Sequence, residues 1–238
     1  MILVSTGLSA QNTSGKIVFE RYTYWVNMMS KFSWMTSEDV DREMLTWGKD
    51  QGKYSEKYDL VFNSKGSVYQ KQPNDDNYGY SWQEDAFVIT KSREEKTVKN
   101  MITLAEKDYL IEGDMQKYKW KILNEIKEIA GYLCMKAETT DPIKNTVVHA
   151  WFTNQIPIGD GPEGYSGLPG MILGLELNLN DVIIEASSVT LSDTDLALPF
   201  PKKMKGKKST PLEYNTFYAK VMQQSIDRKR NPYWRLRY

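Results

Sequence analysis

Residues 147–176 read VVHAWFTNQIPIGDGPEGYSGLPGMILGLE, and this stretch narrows the choice of fold more than any other. β-forming residues lead into Pro157, Gly159, Gly161, Pro162, Gly164, Gly167, Pro169 and Gly170, and then into the apolar run Met171, Ile172, Leu173 and Leu175. Proline fixes φ and removes a backbone donor, whereas glycine opens φ > 0, so alternating the two prescribes one particular path. A flexible tether would be Gly/Ser-rich and polar instead. Here Ile156, Ile158, Tyr165 and Leu168 are interleaved with the turn residues, which gives the loop side chains to pack against the body of the protein. The expectation is a strand, a rigid shaped loop and a second strand. Its defining residues are Trp151, Pro157, Gly161, Pro162, Tyr165, Gly167, Leu168, Pro169 and Gly170, structural determinants that are also candidates for binding a ligand.

Around this loop the chain has the pattern of an antiparallel β protein. Runs of bulky, β-prone residues at 16–26, 54–63, 66–72, 87–90, 97–104, 109–112, 132–138, 146–153, 171–178 and 182–191 recur at intervals of roughly 8 to 12 residues and are separated by turn signals. Tyr118-Lys119-Trp120-Lys121-Ile122 alternates apolar with charged residues and predicts one buried and one wet face. The charged segment 91–96 predicts a turn. With 7 Trp and 15 Tyr the composition favours strands and half-exposed surfaces. Two helices are expected, one at 38–47 behind Ser37 with acids in its first turn, and one within 211–230, where Leu212, Tyr218, Val221, Met222 and Ile226 lie near helical spacing. Between them 199–208 reads as a basic, exposed connector, and 231–238 as an aromatic, basic tail. Residues 12–238 are expected to form one β-rich α+β domain. Residues 1–11, apolar then small then polar, read as the remnant of a signal peptide, which points to the periplasm or the exported cell envelope.

Gly167-Leu168-Pro169-Gly170-Met171-Ile172 resembles the signature for which the GLPGLI family of Bacteroidetes envelope proteins is named, with Met171 in place of the usual leucine. Trp120 and Ile122, the run 129–137 (IAGYLCMKA), Ala150-Trp151-Phe152-Thr153, Ile156-Pro157 and Gly161-Pro162 resemble its surroundings in order and spacing. The resemblance implies an exported protein, and a fold similar to the lipoprotein carriers: a strongly curved antiparallel sheet or half-barrel covered by one or two helices.

Composition and motifs exclude several functions. Lys+Arg and Asp+Glu balance at 31 each, so the basic field that nucleic-acid binding requires is missing. Beyond the first residues no stretch approaches the ~20 apolar residues of a membrane-spanning helix. Met28, Met29, Met35 and Met44 read as adaptable core filler rather than a soft-metal site. The acidic loop 73–80 lacks the calcium-loop spacing of carboxylates. No Gly-Lys-Ser/Thr run follows Gly159-Asp160-Gly161, so a phosphate loop is not predicted. Cys134 and His149, the single cysteine and single histidine, lie on strands expected to be neighbours. They are the weak candidates for a metal site or a nucleophilic pair, although two ligands make an incomplete centre. No catalytic motif and no cofactor is read from the sequence. The expected function is a non-enzymatic binding or carrier protein whose concave apolar face takes a lipid-like or peptide-like ligand. The alternative is an accessory or assembly subunit of an outer-membrane or transport complex, docking through the aromatic, basic tail.

Overall fold

In the computed structural model, which describes residues 14–47, 53–73, 86–234 and 236–237, strand β1 (Ser14–Tyr24) alternates buried with half-exposed residues along its length. Ile17, Phe19 and Arg21 point inward and their neighbours point out, the period-2 pattern of a sheet with one covered face. The chain then turns through two helices, α1 (Trp25–Ser30) and α2 (Ser37–Trp47), into β2 (Lys53–Phe62) and β3 (Gly66–Lys71). β4 (Phe87–Ser92), β5 (Thr97–Leu104) and β6 (Lys107–Asp114) continue β2 and β3 as a meander, and after a crossover to the opposite end of the sheet a second one begins with β7 (Lys121–Ile129), β8 (Tyr132–Asp141) and β9 (Thr146–Thr153). The motif loop separates β9 from β10 (Met171–Leu177), which is followed by β11 (Val182–Ser192), a short β12 (Lys207–Ser209) and α3 (Pro211–Asp227).

All twelve strands belong to one curved, unclosed sheet in the order β12-β6-β5-β4-β3-β2-β1-β11-β10-β9-β8-β7. Every pairing is antiparallel except that of β12 with β6. The sheet is thus a β-rich half-barrel: the spacing of β runs predicts its antiparallel strands, and the family resemblance implies its curvature. Register separates two faces. Lys57, Glu20, Glu185, Gly174, Trp151 and Lys136 stand side by side across neighbouring strands on the outer face. The next row, Glu56, Arg21, Ile184, Leu175, Ala150 and Ala137, faces inward. The main core fills the inner face with Phe19, Tyr58, Leu60, Phe62, Tyr69, Phe152 and Ile172, all fully buried.

Residues 154–170 lie inside the curve. Ile156, Ile158, Tyr165 and Leu168 are buried in the main core, so the loop packs its own side chains as expected. Its backbone is tied to itself by Met171 N donating to Ile156 O at 2.9 Å and Ile172 N donating to Asp160 O at 2.8 Å. A second cluster joins α3 to the β5–β6 end of the sheet through Leu104, Tyr109, Ile111, Tyr218 and Leu236.

Several expectations need correction. Lys91, read as part of a charged turn, is a buried residue of β4 on the same inward face as Ile89, because the strand runs on to Ser92. Residues 118–120 belong to no strand, yet Tyr118 and Trp120 still pack on the core: Trp120 Nε1 donates to Ser166 O at 2.8 Å and the Tyr118 ring packs against that of Tyr165 at 4.8 Å between centroids, tilted by 36°. Ile122, grouped with them, is exposed on β7. The connector 199–208 contains the start of β12, which extends the sheet by a parallel strand. Of the tail residues read as a docking segment, Pro232 and Leu236 are buried. The signal-peptide reading of 1–11 and residues 74–80 of the acidic loop lie outside the described residues. No described helix is long and apolar enough to cross a membrane.

Candidate functional site

The motif loop is fastened to the sheet by buried charge. Asp160 is 2% exposed, and the Lys91 ammonium, 1% exposed, pairs with its Oδ1. Lys91 also donates to the carbonyls of Gly161 at 3.0 Å and Tyr165 at 3.3 Å. Arg93 Nη1 reaches Asp160 Oδ2 at 3.0 Å and its Nη2 donates to Gly66 O at 2.9 Å. Burial by itself would raise the Asp160 carboxyl, but the neighbouring Lys91 and Arg93 outweigh it and hold the group below the usual carboxylate range.

Three residues on, the chain makes a 3-10 turn, Pro162–Gly164, in which Glu163 adopts left-handed backbone angles (φ 54, ψ 19). A non-glycine residue there is conformationally costly and is kept only where its surroundings hold it. What holds it is its carboxylate. Arg237 Nε donates to Glu163 Oε2 at 2.9 Å and Nη2 donates to Oε1, a bidentate fork. Tyr69 OH donates to the same Oε1 at 3.2 Å. The Arg237 guanidinium lies 3.7 Å from the Phe87 ring centroid and 4.6 Å from that of Tyr58, whose hydroxyl accepts from Nη1 at 2.6 Å. Behind them Arg21 Nη1 is 3.5 Å from Glu56, and Arg21 Nε is 3.7 Å from Glu163 Oε1. Burial pushes the Glu163 carboxyl upward, and Arg237 and Arg21 more than reverse this.

Next to this network lies a cavity of about 190 Å³. Ile89, Val98, Ile102, Ile111, Phe87 and Tyr214 supply apolar wall, and Asn100, Lys144, Glu163 and Arg237 supply polar wall. Tyr165 closes it from the loop side, its hydroxyl donating to Asp141 Oδ2 at 2.9 Å. Asp141 Oδ1 in turn accepts from the amides of Ile143 at 2.8 Å and Lys144 at 2.9 Å, which shapes the β8–β9 turn. Burial lowers the Lys144 amine to about 8; Asp141 and Glu163 oppose the shift, while Arg21 and Arg237 add to it.

Of the nine loop residues proposed from sequence, only Tyr165 lines the cavity; its neighbours Glu163 and Gly164 join it. Trp151 lies on the outer face, its Nε1 donating to Glu176 Oε1 at 2.8 Å, with the ammonium of Lys136 5.3 Å from its ring. Pro162, Leu168, Gly161 and Gly170 are buried, whereas Pro157, Gly167 and Pro169 are exposed on the loop surface. Their work is conformational: a Cβ at Gly170 would sit 2.0 Å from Thr153 O, one at Gly161 would sit 2.6 Å from Ile172 Cβ, and Gly167 has φ +93. Cys134 and His149 share the outer face of adjacent strands, but His149 pairs with Glu138, four residues beyond Cys134. That is about 13 Å along the ladder, so the two do not meet. The Cys134 thiol is pushed up to about 11 by burial, and His149 Nε2 lies 3.1 Å from Glu138. Among the described residues no group of three or more His, Cys, Asp or Glu is placed to hold a metal ion.

Sequence reasoning missed Lys91, Lys144, Arg21 and Arg237. The available signal was Asp160 and Glu163 themselves: carboxylates inside a loop whose other side chains pack inward require buried cationic partners.

Comparison with known proteins agrees with this emphasis on the loop. The profile of a family described as "Protein of unknown function (Porph_ging)" matches residues 140–174, the span from the Asp141 turn through the loop into β10. No curated protein matches the chain. Two solved structures of PNGF-II, in P21 and C2 space groups, are similar over 86% and 85% of this chain, with TM-scores of 0.54 and 0.53 at 15% and 16% identity. The chain spans about a third of the length of each, 32%. At that identity the likeness is one of fold: the half-barrel described above.

Proposed function

We propose that this protein is a non-catalytic binding module of the cell envelope, which holds an apolar group of its ligand in the cavity between the motif loop, the β4–β6 end of the sheet and α3. The observation that carries this reading is the cavity's lining, in which aliphatic and aromatic residues outnumber the polar ones, the usual character of a ligand site. Its size narrows the ligand. Pockets that enclose drug-sized molecules run to roughly 300–1,000 Å³, and an engineered apolar cavity of about 150 Å³ takes benzene. A cavity of about 190 Å³ therefore fits one aromatic ring or a short aliphatic group, the size of a peptide side chain, and not a whole lipid. The peptide-like ligand is thus favoured over the lipid-like one. The carboxylates of Asp141 and Glu163 are occupied by structural hydrogen bonds, and the only histidine lies on the other face of the sheet, which supports a role in orientation for these two carboxylates.

Native mass spectrometry of the protein taken from its own cells tests this. Bound mass present on the native chain and lost on Ile102→Trp, which fills the cavity, is the expected result; equal bound mass on both would contradict it. A second reading, an accessory subunit of an envelope complex, is favoured by β7. This edge strand carries Ile122 and Ile126, 53% and 70% exposed, next to Leu133 at 60%. An exposed apolar edge is a site for strand addition by a partner. Ile126→Lys abolishing co-purification of a stoichiometric neighbour would support that reading, and unchanged co-purification would remove it.

A further inference from the structure

The Arg237 contacts describe a receptor as well as an ion pair. A guanidinium is met from every side by groups suited to it: a bidentate carboxylate from Glu163, the faces of Phe87 and Tyr58, the Tyr58 hydroxyl, and Glu56 at 4.0 Å from Nη1. Planar fork recognition combined with aromatic stacking distinguishes arginine from lysine. All of these receptor groups come from β2, β4 and the motif loop, whereas their occupant comes from a short segment following α3. Residues 236–237 have further ties: Leu236 is buried, its amide donates to Pro232 O at 3.1 Å, Tyr218 OH donates to Arg237 O at 2.8 Å, and the preceding Tyr233 packs against both hydrophobic clusters.

A second observation lies behind the pocket. Arg21, 5% exposed, turns its Nε toward Glu163 Oε1 at 3.7 Å, too long for a hydrogen bond, and that Nε has no hydrogen-bond partner among the described residues. A buried donor left unmade is costly. Its position supplies a standing positive charge beside Glu163, which keeps the carboxylate ionised, and the pocket receptive, when the occupant leaves.

We propose that Glu163, Glu56, Tyr58 and Phe87 form a guanidinium pocket for an arginine-bearing peptide, that Arg237 is its resident intramolecular occupant, and that such a peptide binds by displacing residues 236–237. The proposal rests on the reading of the inner face as a binding site and names the ligand class. The adjoining cavity then receives the side chain next to the arginine, and the tethered segment sets a threshold, because an intramolecular occupant competes at an effective concentration in the millimolar range.

The test is calorimetric titration of the full chain and of Arg237→Met with N-acetyl-arginine amide, with the citrulline amide, uncharged but of the same shape, as the control. The variant is expected to bind the arginine probe at least about tenfold more tightly than the native chain does, since the tethered competitor is gone, and the citrulline probe at least about tenfold more weakly than arginine. Equal affinity for the two probes, or equal affinity of native and variant chains, overturns the proposal. If Arg237→Met does not fold, hydrogen exchange on the native chain decides. Saturating arginine probe should speed exchange of the Leu236 amide, and an unchanged rate overturns the proposal. Binding of indole, which probes the cavity alone, separates the two readings. Indole binding without arginine selectivity leaves the cavity and removes the guanidinium pocket; arginine selectivity without indole binding does the reverse.

Discussion

Asp160 has Lys91, Arg93 and the Gly161 amide as partners and almost no contact with water. Removing one member of a buried pair leaves an uncompensated charge, which typically costs 3–5 kcal/mol, far more than the net worth of the pair. Asp160→Asn is therefore expected to lower stability by about 3 kcal/mol in urea unfolding at neutral pH, with the m-value unchanged; a loss below about 1 kcal/mol would show that the loop does not depend on this anchor. The motif glycines make a different demand. Gly170 is needed because a Cβ would meet a backbone oxygen, whereas Gly131 has φ +84 with nothing within 4 Å of a Cβ. Gly170→Ala should cost at least about 2 kcal/mol through forced backbone movement, and Gly131→Ala about 1 kcal/mol through strain alone. Thermal melts of the pair check the ranking. The sequence makes Gly170 legible as a constrained position but not the reason, which is the approach of Thr153 from the strand before the loop.

Local patterns made most of the elements legible. β5, β9 and the β10–β11 hairpin follow from alternation between clear turns, and α2 has acids in its first turn as expected, but Ser37 is its first helical residue and Thr36 is the cap, its hydroxyl accepting from the Asp39 amide at 3.1 Å. α3 has a capping box, in which Thr210 Oγ1 accepts from the Glu213 amide at 3.2 Å and the Thr210 amide donates to Glu213 Oε2 at 2.8 Å. Thr210→Ala should cost about 1 kcal/mol and, because Pro211 and Tyr214 line the cavity, should speed hydrogen exchange in the first turn of α3. A stability change with no local effect on exchange would disconnect the cap from the cavity wall. Illegible were the features set by distant partners. β12 pairs with β6 from about a hundred positions away, and Lys91 is buried only because Asp160 meets it across the interior. Charge density in 91–96 is a local signal and points outward; the long-range ion pair reverses it.

At the scale of the whole molecule, the curvature of the sheet brings the β4–β6 end over the β8–β9 turn with the motif loop between, and the cavity exists because those pieces meet. The carboxylates and guanidinium at its edge could not be placed from sequence, since they come from β1, β2, the loop and residue 237. Lys144 links this site to pH. Its amine, lowered to about 8 by burial and by the charges of Arg21 and Arg237, is protonated below that value and then repels a guanidinium in the pocket; above it the repulsion fades. Linkage requires the converse, so an arginine occupant should be held more tightly as pH rises through about 8. Titrations of N-acetyl-arginine amide into Arg237→Met at pH 6.5 and 9 should show affinity rising with pH, and Lys144→Met should remove the trend; a fall in affinity would contradict this coupling.

The account's central claim, that the inner cavity is a binding site, is tested most directly by methyl NMR of the isoleucine-labelled full chain during titration with indole. The prediction is saturable shifts at Ile89, Ile102 and Ile111, which line the cavity, with Ile122 and Ile126 on the outer edge strand unmoved. Shifts confined to Ile122 and Ile126, with the cavity methyls silent, would contradict it.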